Sequence, residues 1–417
     1  MLMKEISKVI NGRRKIIKKP ELLAPAGNLE KLKTAIIYGA NAVFVGGKEF
    51  SLRSQASNFS LDDIKEAVIF AKEHNADVHV TCNIILHQEN LKGIEEYLKA
   101  LDKLGVKAII VADVNMVRIA KQLDLQLEIH LSTQLSITNS KAVDFWSELG
   151  VNRVVLAREV EYSDLKDIMN KTTIDIEYFI HGAMCIHYSG RCMLSNYYSH
   201  RDANRGGCSQ SCRWNYDIYE NDIKLNTSKE DAFTMSSKDL ALVKEIPKLI
   251  ELGIDSFKIE GRMKSIHYIA TIVSTYRKLI DAYCDNPDTF VFDDFFELET
   301  LKAANRCLST GFFYGVATQN QQIFNLRDEH PTQEFVIRVV EYDEEKKIAK
   351  IEQRNHFKVG ELVEFFSPKK EHWQMTIKKL YNIDFEEIEI ANHPMEILFL
   401  EVEQVVYSND MARKVAK

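Results

Sequence analysis

The sequence lacks several features that would place the protein in a familiar class. It has no run of the roughly 18–20 apolar residues that a membrane-spanning helix needs. Its first residues, MLMKEISKVINGRRKIIKKPELL, contain no apolar stretch like that of a secretory signal. Neither of the glycine patterns of nucleotide-binding loops, GxGxxG and GxxxxGK[ST], is present. We therefore expect a cytoplasmic protein that makes no contact with a membrane.

The composition is that of a folded protein rather than a disordered one. Hydrophobic residues make up 45% of the 417 positions, which is ample for a core. Acidic residues outnumber basic ones, 61 against 54, but residues 1–20 carry seven Lys/Arg and a single acid. This basic tail is a candidate contact for nucleic acid, although such tails are more often only solvated.

The cysteines are unevenly distributed. Four of the seven lie close together along the chain, namely Cys185, Cys192, Cys208 and Cys212. Without an export signal disulfides are not expected, so a site for a thiophilic metal is the better interpretation. The spacing Cys-x6-Cys-x15-Cys-x3-Cys resembles a zinc knuckle only in its last pair. It leaves three alternatives open, which are an iron–sulfur cluster, a zinc site and unligated thiols.

Up to about residue 284 the chain repeats one pattern, in which an amphipathic helix ends near Gly or Asn and a short apolar strand follows. The glycine suits a helix end that needs positive φ, and the Val/Ile-rich runs suit strands buried on both faces. The clearest strands are in YGANAVFVGG (38–47), HNADVHVTCN (74–83), LGVKAIIVAD (104–113), LGVNRVVLAR (149–158) and LGIDSFKIEG (252–261). Further strands are expected in ELLAPAG (21–27), LQLEIHLS (125–132), IDIEYFIHGA (174–183) and AFTMSS (232–237).

Such a series predicts an α/β fold, a (β/α)8 TIM-like barrel over residues 21–284, with an open doubly wound sheet as the alternative. A Cys-rich insert, residues 184–231, follows one strand and so belongs on the catalytic face of a barrel. Residues 285–330 form a connecting segment. Residues 331–417 alternate polar and apolar positions with turn signals between them, which predicts a small C-terminal antiparallel β-barrel.

The segment EYFIHGAMCIHYSGRCMLS (177–195) resembles the signature of the bacterial collagenase-like peptidases, the U32-type family. ELLAPAGNLEKLKTAIIYGANAVFVGG (21–47) resembles the opening strand and helix of that family, and KDLALVKEIPKLIELGIDSFKIEGRMKS (238–265) its closing barrel segment. EQRNHFKVGELVEFFSP (352–368) and the following NHPMEI resemble the C-terminal module of the tRNA hydroxylation branch. The resemblance thus covers nearly the whole chain.

The resemblance implies a function. Members of that branch make 5-hydroxyuridine at the wobble position of tRNA, without molecular oxygen and depending on prephenate. Relatives hydroxylate ribosomal RNA or ubiquinone precursors, and several carry a 4Fe–4S cluster on four cysteines. By motif Cys185, Cys192 and Cys208 are the firmest ligands, with Cys212 as the fourth and Cys82 in reserve. The implied partners are tRNA and prephenate, and a paralogous subunit is an open question.

Prephenate is a dicarboxylate, so its site requires cationic side chains. The candidates are Arg191 in the signature and Arg262 at a strand end, for which an ion pair with Glu260 is the structural alternative. His130 and Gln134 are further candidates for lining the same mouth.

His181 directly follows a barrel strand, so we expect it to point toward the mouth and move a proton; a role in orienting the insert is the alternative. Glu177 and Glu260 are interior carboxylates that must be paired or functional, with Lys258 as a possible partner.

Arginines and aromatic residues surround the cysteines. Arg191, Arg201, Arg205 and Arg213 face one acid, Asp202, between positions 185 and 215. They suit a cluster or an anionic ligand, or are merely solvated. The aromatic run Tyr188, Tyr197, Tyr198 and Trp214 suits an extruded base or packing around the cluster.

Two other function classes stay open. A peptidase is the first, although GxSxG and HExxH are absent. A non-catalytic, zinc-stabilised RNA-binding protein is the second. The interpretation we favour is an RNA hydroxylase with a 4Fe–4S cluster.

Overall fold

The computed structural model describes residues 6–10, 13–52, 58–226, 233–323 and 333–415. Parts of the basic tail lie outside these ranges, and the described part begins with an antiparallel pair of strands, β1 (Ile6–Ile10) and β2 (Arg13–Ile17). Within the described ranges no helix is both long and apolar enough to cross a membrane.

A closed parallel barrel forms the centre of the molecule. The strands up to residue 323 are β3 (Glu21–Pro25), β4 (Ala42–Gly46), β5 (Asp77–Cys82), β6 (Ala108–Val111), β7 (Glu128–Leu131), β8 (Arg153–Val155), β9 (Asp175–Gly182), β10 (Tyr219–Glu220), β11 (Ile223–Lys224), β12 (Ser236–Ser237), β13 (Asp239–Ala241), β14 (Ser256–Ile259), β15 (Leu308–Ser309) and β16 (Gln322–Ile323). Strands β3 to β9 pair in chain order, and β14 pairs with both β3 and β9. This eight-stranded ring confirms the predicted TIM-like barrel and excludes the open sheet.

Helices surround the barrel. They are α1 (Leu29–Ile37), α2 (Leu61–Glu73), α3 (Ile94–Leu104), α4 (Val114–Gln122), α5 (Ser140–Glu148), α6 (Tyr162–Lys171), α7 (Leu194–Ser199), α8 (Ile246–Leu252), α9 (Ile266–Asp285) and α10 (Phe295–Lys302). Asn28 and Ser60 cap the starts of α1 and α2 through their side chains. Gly105 and Gly253 end α3 and α8 at φ of 80° and 91°, the role predicted for these glycines.

The prediction of a barrel strand in AFTMSS (232–237) was wrong. Residue 232 lies outside the described part of the chain, and β12 pairs with β16, away from the barrel. Strand β9 instead pairs directly with β14, which already closes the ring. The Thr and Ser side chains of this segment suit hydrogen bonding at the rim better than a strand buried on both faces.

The C-terminal module is antiparallel, as predicted. Its strands are β17 (Phe335–Asp343), β18 (Ile348–Gln353), β19 (Phe357–Lys358), β20 (Leu362–Phe366), β21 (Trp373–Thr376), β22 (Leu380–Tyr381), β23 (Glu387–Ile388), β24 (Ile390–Ala391), β25 (Ile397–Glu401) and β26 (Met411–Lys414). Eight of them form one sheet from β21 to β23, a half-barrel around its own apolar core. Burial alternates along β18, so the two-residue period seen in the sequence marks its inner face.

Charged side chains join the module to α10. Arg413, on β26, is fully buried and places Nη2 2.7 Å from Glu299 Oε2 and 2.6 Å from Glu364 Oε2. Lys302 contacts both carboxylates, and His372 lies beside Glu299 with its Nδ1 3.7 Å from Oε1. We call Glu299, Glu364 and His372, with these two cations, the interface carboxylate cluster.

Candidate functional site

The four clustered cysteines lie on the insert that leaves the barrel after β9. The carboxyl ends of parallel strands meet at one rim, so the insert begins on the face where barrel enzymes carry their sites. Cys185 and Cys208 are exposed, while Cys192 and Cys212 are half-buried. The thiols therefore lie at or near the protein surface rather than sealed in the core.

Arg213 ties the two ends of the insert together. Its Nη2 donates to the carbonyl of Met184 at 2.8 Å, and Met184 directly precedes Cys185. Its Nη1 donates to Ser236 Oγ at 2.6 Å and to the Ser237 carbonyl at 2.9 Å. A single guanidinium thus links the first cysteine to the segment that returns to the barrel.

Hydrogen bonds to backbone groups hold the middle of the insert in place. Asn204 accepts from the Cys192 amide at 3.1 Å and donates to the Cys192 carbonyl at 3.0 Å. The Ile85 amide, in the loop after β5, donates to the Asn204 carbonyl at 3.3 Å. Ser189 donates from its backbone amide to Glu159 Oε1 at 2.8 Å. These bonds position the backbone of Cys192 and of Ser189 without using the sulfurs.

In this structure the four sulfurs are not grouped as tightly as the ligands of a single zinc ion. A tetrahedral zinc site, with Zn–S bonds of about 2.3 Å, places its sulfurs about 3.8 Å apart. Within the described ranges only the interface carboxylate cluster has three ligand atoms within 4.8 Å of one another. The sulfurs are nevertheless close enough for the other three charges to raise the pKa of Cys212, which burial raises more strongly. Four free cysteines on one insert are the donor set that a 4Fe–4S cluster uses, so the side chains present fit that group.

Cys82, the reserve ligand, does not join this group. It is fully buried in the apolar core, and burial raises the pKa of its thiol well above the ordinary value. A thiol in such surroundings resists the deprotonation that metal binding requires.

His181 does not point into the mouth as expected. The pairing of β9 with β14 shifts register between Lys258 and Ile259, and the His181 ring lies against α9. It packs on Tyr268 and Tyr276, with Nδ1 3.2 Å from the Tyr276 hydroxyl. Burial lowers its pKa to about 4, so the ring is neutral at neutral pH. The ring hydrogen bond goes to α9, so the role in orienting the insert and the catalytic role both stay predictions.

Glu177 lies deep in the barrel. It is fully buried, with Oε1 2.6 Å from Lys258 Nζ and Oε2 3.3 Å from Arg153 Nη1. Burial would raise its pKa, but these two cations outweigh burial and lower it. Arg153 also binds Glu21, the first residue of β3, at 2.6 Å. This network lies toward the strand ends opposite the insert, so the pairing weighed for Glu177 is present.

Glu260 lies at the mouth, beside an arginine that the sequence analysis did not single out. Arg158 Nη2 is 3.5 Å from Glu260 Oε2, and Nη1 donates to the Ala183 carbonyl at 2.9 Å. The guanidinium also covers the Phe179 ring at 4.0 Å. An arginine directly after a barrel strand, in LAR (156–158), was the available signal.

Arg262 occupies the rim as predicted from its place at a strand end. Its side chain is buried, with Nη1 3.3 Å from Ser51 Oγ and Nη2 2.7 Å from Asn58 Oδ1. It lies so close over Gly46 that a Cβ there would be 2.0 Å from Nη2. Only glycine on β4 therefore leaves room for this guanidinium.

The remaining substrate candidates separate into two places. Gln134 and Arg191 meet at the rim, where Arg191 Nε lies 3.4 Å from the Gln134 carbonyl and Asn83 Nδ2 lies 2.8 Å from Gln134 Oε1. His130 is fully buried inside the barrel, with Nε2 2.9 Å from Glu128 Oε2. The structure thus brings Gln134, but not His130, next to the insert.

A cavity of about 420 Å³ lies between the rim loops and the insert. Its lining residues are Lys48, Phe50, Ser51, Ile84, Asn90, Arg201, Asp202, Arg205 and Gly207. Cations outnumber acids in this lining, which suits an anionic ligand. Lys48 has no local motif and could not be found from the sequence.

Comparison with known proteins agrees with this architecture. Peptidase family U32 matches residues 27–323, and the U32 C-terminal domain matches residues 331–413. The chain is 50% identical over 414 residues to tRNA hydroxylation protein P1 of Bacillus subtilis, with 98% of each chain covered. It is 31% identical to tRNA hydroxylation protein P of Escherichia coli, over 89% of this chain and 91% of that one.

The third relative acts on a different RNA. The 23S rRNA 5-hydroxycytidine C2501 synthase of Escherichia coli is 39% identical over 263 residues, which cover 63% of this chain and 39% of that one. The shared part is thus the size of the barrel and its insert. Since the two family matches together span most of the sequence, the chain belongs to peptidase family U32.

Proposed function

We propose that this protein is an RNA hydroxylase that converts the wobble uridine of tRNA to 5-hydroxyuridine without molecular oxygen. The observation that carries the proposal is the four-cysteine insert at the barrel rim, in a chain half identical to a tRNA hydroxylation protein. Relatives named for tRNA and rRNA hydroxylation support the broader statement, an enzyme that acts on RNA. Prephenate as co-substrate and a 4Fe–4S cluster as cofactor are the finer parts of the proposal.

The four insert cysteines, Cys185, Cys192, Cys208 and Cys212, would hold the cluster. When bound, the cluster would supply one-electron chemistry beside the barrel mouth. Burial raises the pKa of the Cys212 thiol, and the charge of the nearby Arg213 offsets part of that rise. Its hydrogen bond to Met184 keeps Cys185 at the rim.

An anionic co-substrate would bind at the cationic rim. Arg262 is buried and fixed in direction, which suits a carboxylate held by paired hydrogen bonds. Arg191 and the Lys48 side of the cavity supply further positive charge for a second carboxylate. Glu260 offers its Oε atoms at the mouth as a proton acceptor, positioned by Arg158.

The test begins with protein purified without oxygen and analysed for iron, acid-labile sulfide and zinc. We expect about four irons and four sulfides per chain. The gene is then expressed, without any paralogue, in a bacterial strain that lacks wobble 5-hydroxyuridine. Nucleoside mass spectrometry should detect the modification when the strain can make prephenate and not when prephenate synthesis is blocked.

The alternatives make opposite predictions. About one zinc per chain with no sulfide, and no hydroxylated nucleoside, would leave a zinc-stabilised RNA-binding protein. Cleavage of gelatin or of a collagen peptide that persists in highly purified protein and disappears in insert variants would favour the peptidase.

A further inference from the structure

The Cys-rich insert carries aromatic side chains that the cysteine site does not use. Tyr188 and Tyr197 are 54% and 76% exposed, Tyr198 is about half exposed, and Trp214 exposes about a third of its surface. We call these four residues the insert aromatic surface. Packing around a cluster does not account for rings with this much exposure, because packing would bury them.

The rings share a scaffold with the cysteines. Tyr197 and Tyr198 lie on α7, which begins just after Cys192, and Trp214 follows Cys212 by two positions. The Tyr198 and Trp214 ring centres are 6.5 Å apart at 67°. The buried Ser195 hydroxyl of α7 accepts a hydrogen bond from the Ser209 amide at 3.1 Å. This bond holds the helix against the loop that contains Cys208.

The segment that carries these rings contains more basic than acidic residues. Residues 186–214 contain four arginines and a single acid, Asp202. One of the four, Arg213, donates to the Met184 carbonyl and so ties the ends of the insert together, and Arg205 binds Glu89 at 2.7 Å. Arg191 remains exposed beside Tyr188. Exposed ring faces within a positive environment are the features that bind single-stranded nucleic acid, where bases stack and phosphates are neutralised.

We propose that the insert aromatic surface binds a single-stranded segment of the RNA substrate by stacking unpaired bases on Tyr197 and its neighbours. This inference rests on the proposed RNA hydroxylation and adds where the RNA loop is held. Stacking next to the cysteines would place a neighbouring pyrimidine at the barrel mouth. Stacking is indifferent to base identity, so this surface selects an open loop rather than a sequence.

Binding to the full-length protein tests the proposal directly. Only three tryptophans are present, and Trp214 is the exposed one among them, so a stacked base should quench its fluorescence. The probes are a short oligouridylate, an abasic strand of equal length and charge, and a blunt RNA duplex. We expect quenching by oligouridylate alone, and none in Trp214→Phe.

Tyr197→Ala should weaken oligouridylate binding about 5- to 100-fold, the effect of losing one stacked base. Tyr197→Phe keeps the ring and should restore binding. Phe145→Ala, at a similarly exposed position on α5, is the matched control and should bind normally. Since most of the Tyr197 side chain is exposed, the melting temperature of Tyr197→Ala should equal that of the wild type. A loss of binding then cannot be ascribed to unfolding.

Equal binding of the abasic strand, or an unaltered affinity in Tyr197→Ala, would overturn the proposal. A dimer in sedimentation that Tyr197→Ala converts to monomer would instead assign the surface to a second copy of the chain. The proposed function fails separately: wild-type oligouridylate binding without 5-hydroxyuridine in tRNA would refute the hydroxylase and leave the stacking surface standing.

Discussion

The protein contains two groups of potential metal ligands that differ in how their charge is balanced. In the interface carboxylate cluster, three ligand atoms lie within 4.8 Å of one another. Arg413 and Lys302 already bind both of its carboxylates. In the insert the sulfurs are farther apart, and Arg213 donates to a hydroxyl and to carbonyls rather than to a carboxylate.

The difference shows that closeness of ligand atoms alone does not define a metal site. A cation entering the interface carboxylate cluster would have to displace a buried guanidinium, which would then be left without its partners. A cluster entering the insert would relieve the mutual repulsion of the thiolates. We therefore regard the first group as structural, and the proposed metal site is the second.

The largest effect is expected from the cysteines. Cys208→Ala should lower iron and sulfide content and reduce tRNA hydroxylation by more than about 100-fold, since the loss of a ligand exceeds the 10–100-fold effect of its supporting partners. Iron analysis and nucleoside mass spectrometry measure both. Cys307→Ala, at an exposed cysteine outside the insert, should leave both unchanged. Full activity in Cys208→Ala would contradict the proposed metal site in the insert.

Arg413 should matter for stability rather than for chemistry. Arg413→Met leaves Glu299 and Glu364 buried with less compensation, so we expect a loss of about 3–5 kcal/mol in the free energy of unfolding, measured with urea. Lys414→Met, next to it on β26 and partly exposed, should cost less than about 1 kcal/mol. A loss of hydroxylation without a loss of stability would reverse the interpretation of this cluster.

His181, at the base of the insert, should make the free energy of unfolding depend on pH. The folded pKa of His181, about 4, lies below its ordinary value of 6.5, so its contribution to stability is complete above pH 6.5 and is lost as the pH falls toward 4. By pH 5 this loss should be about 2 kcal/mol relative to neutral pH. His181→Asn should flatten that part of the urea-unfolding profile. A kcat inflection near pH 6.5 that disappears in the variant would instead support the catalytic role.

The smallest effect is expected from added metal. Millimolar Mn²⁺ should shift the melting temperature by less than about 1 °C, because the interface carboxylates are already neutralised. The control is Glu299→Gln, which should respond identically. A saturable rise in the melting temperature that this substitution abolishes would show that the carboxylates bind metal after all.

Much of the fold could be predicted because its signals are local. Short apolar runs after Gly105 and Gly253 marked strands with helices before them, and the structure has both. AFTMSS (232–237) failed because short polar runs do not reveal which strand they pair with. The ring closes through β9 and β14, whose contact joins residues far apart in sequence.

Some residues of the candidate site could likewise be found from local sequence signals, and others could not. Spacing and composition identified the cysteines, and Arg262 was predicted at the rim from its place after a strand. The His181 ring packs on Tyr268 and Tyr276 of α9, far along the chain, and local sequence patterns do not reveal such a contact. Lys48 and Arg158 entered the site only because separate loops converge on one rim.

The sequence by itself determined the periodic strand–helix pattern, the antiparallel C-terminal module and the grouping of four cysteines, because each depends on residues close together in the chain. The tertiary structure alone decided which strands close the barrel, which way His181 faces and which cations balance Glu177, Glu299 and Glu364. Those outcomes depend on long-range pairing and burial, where charge and register are settled by partners distant in sequence.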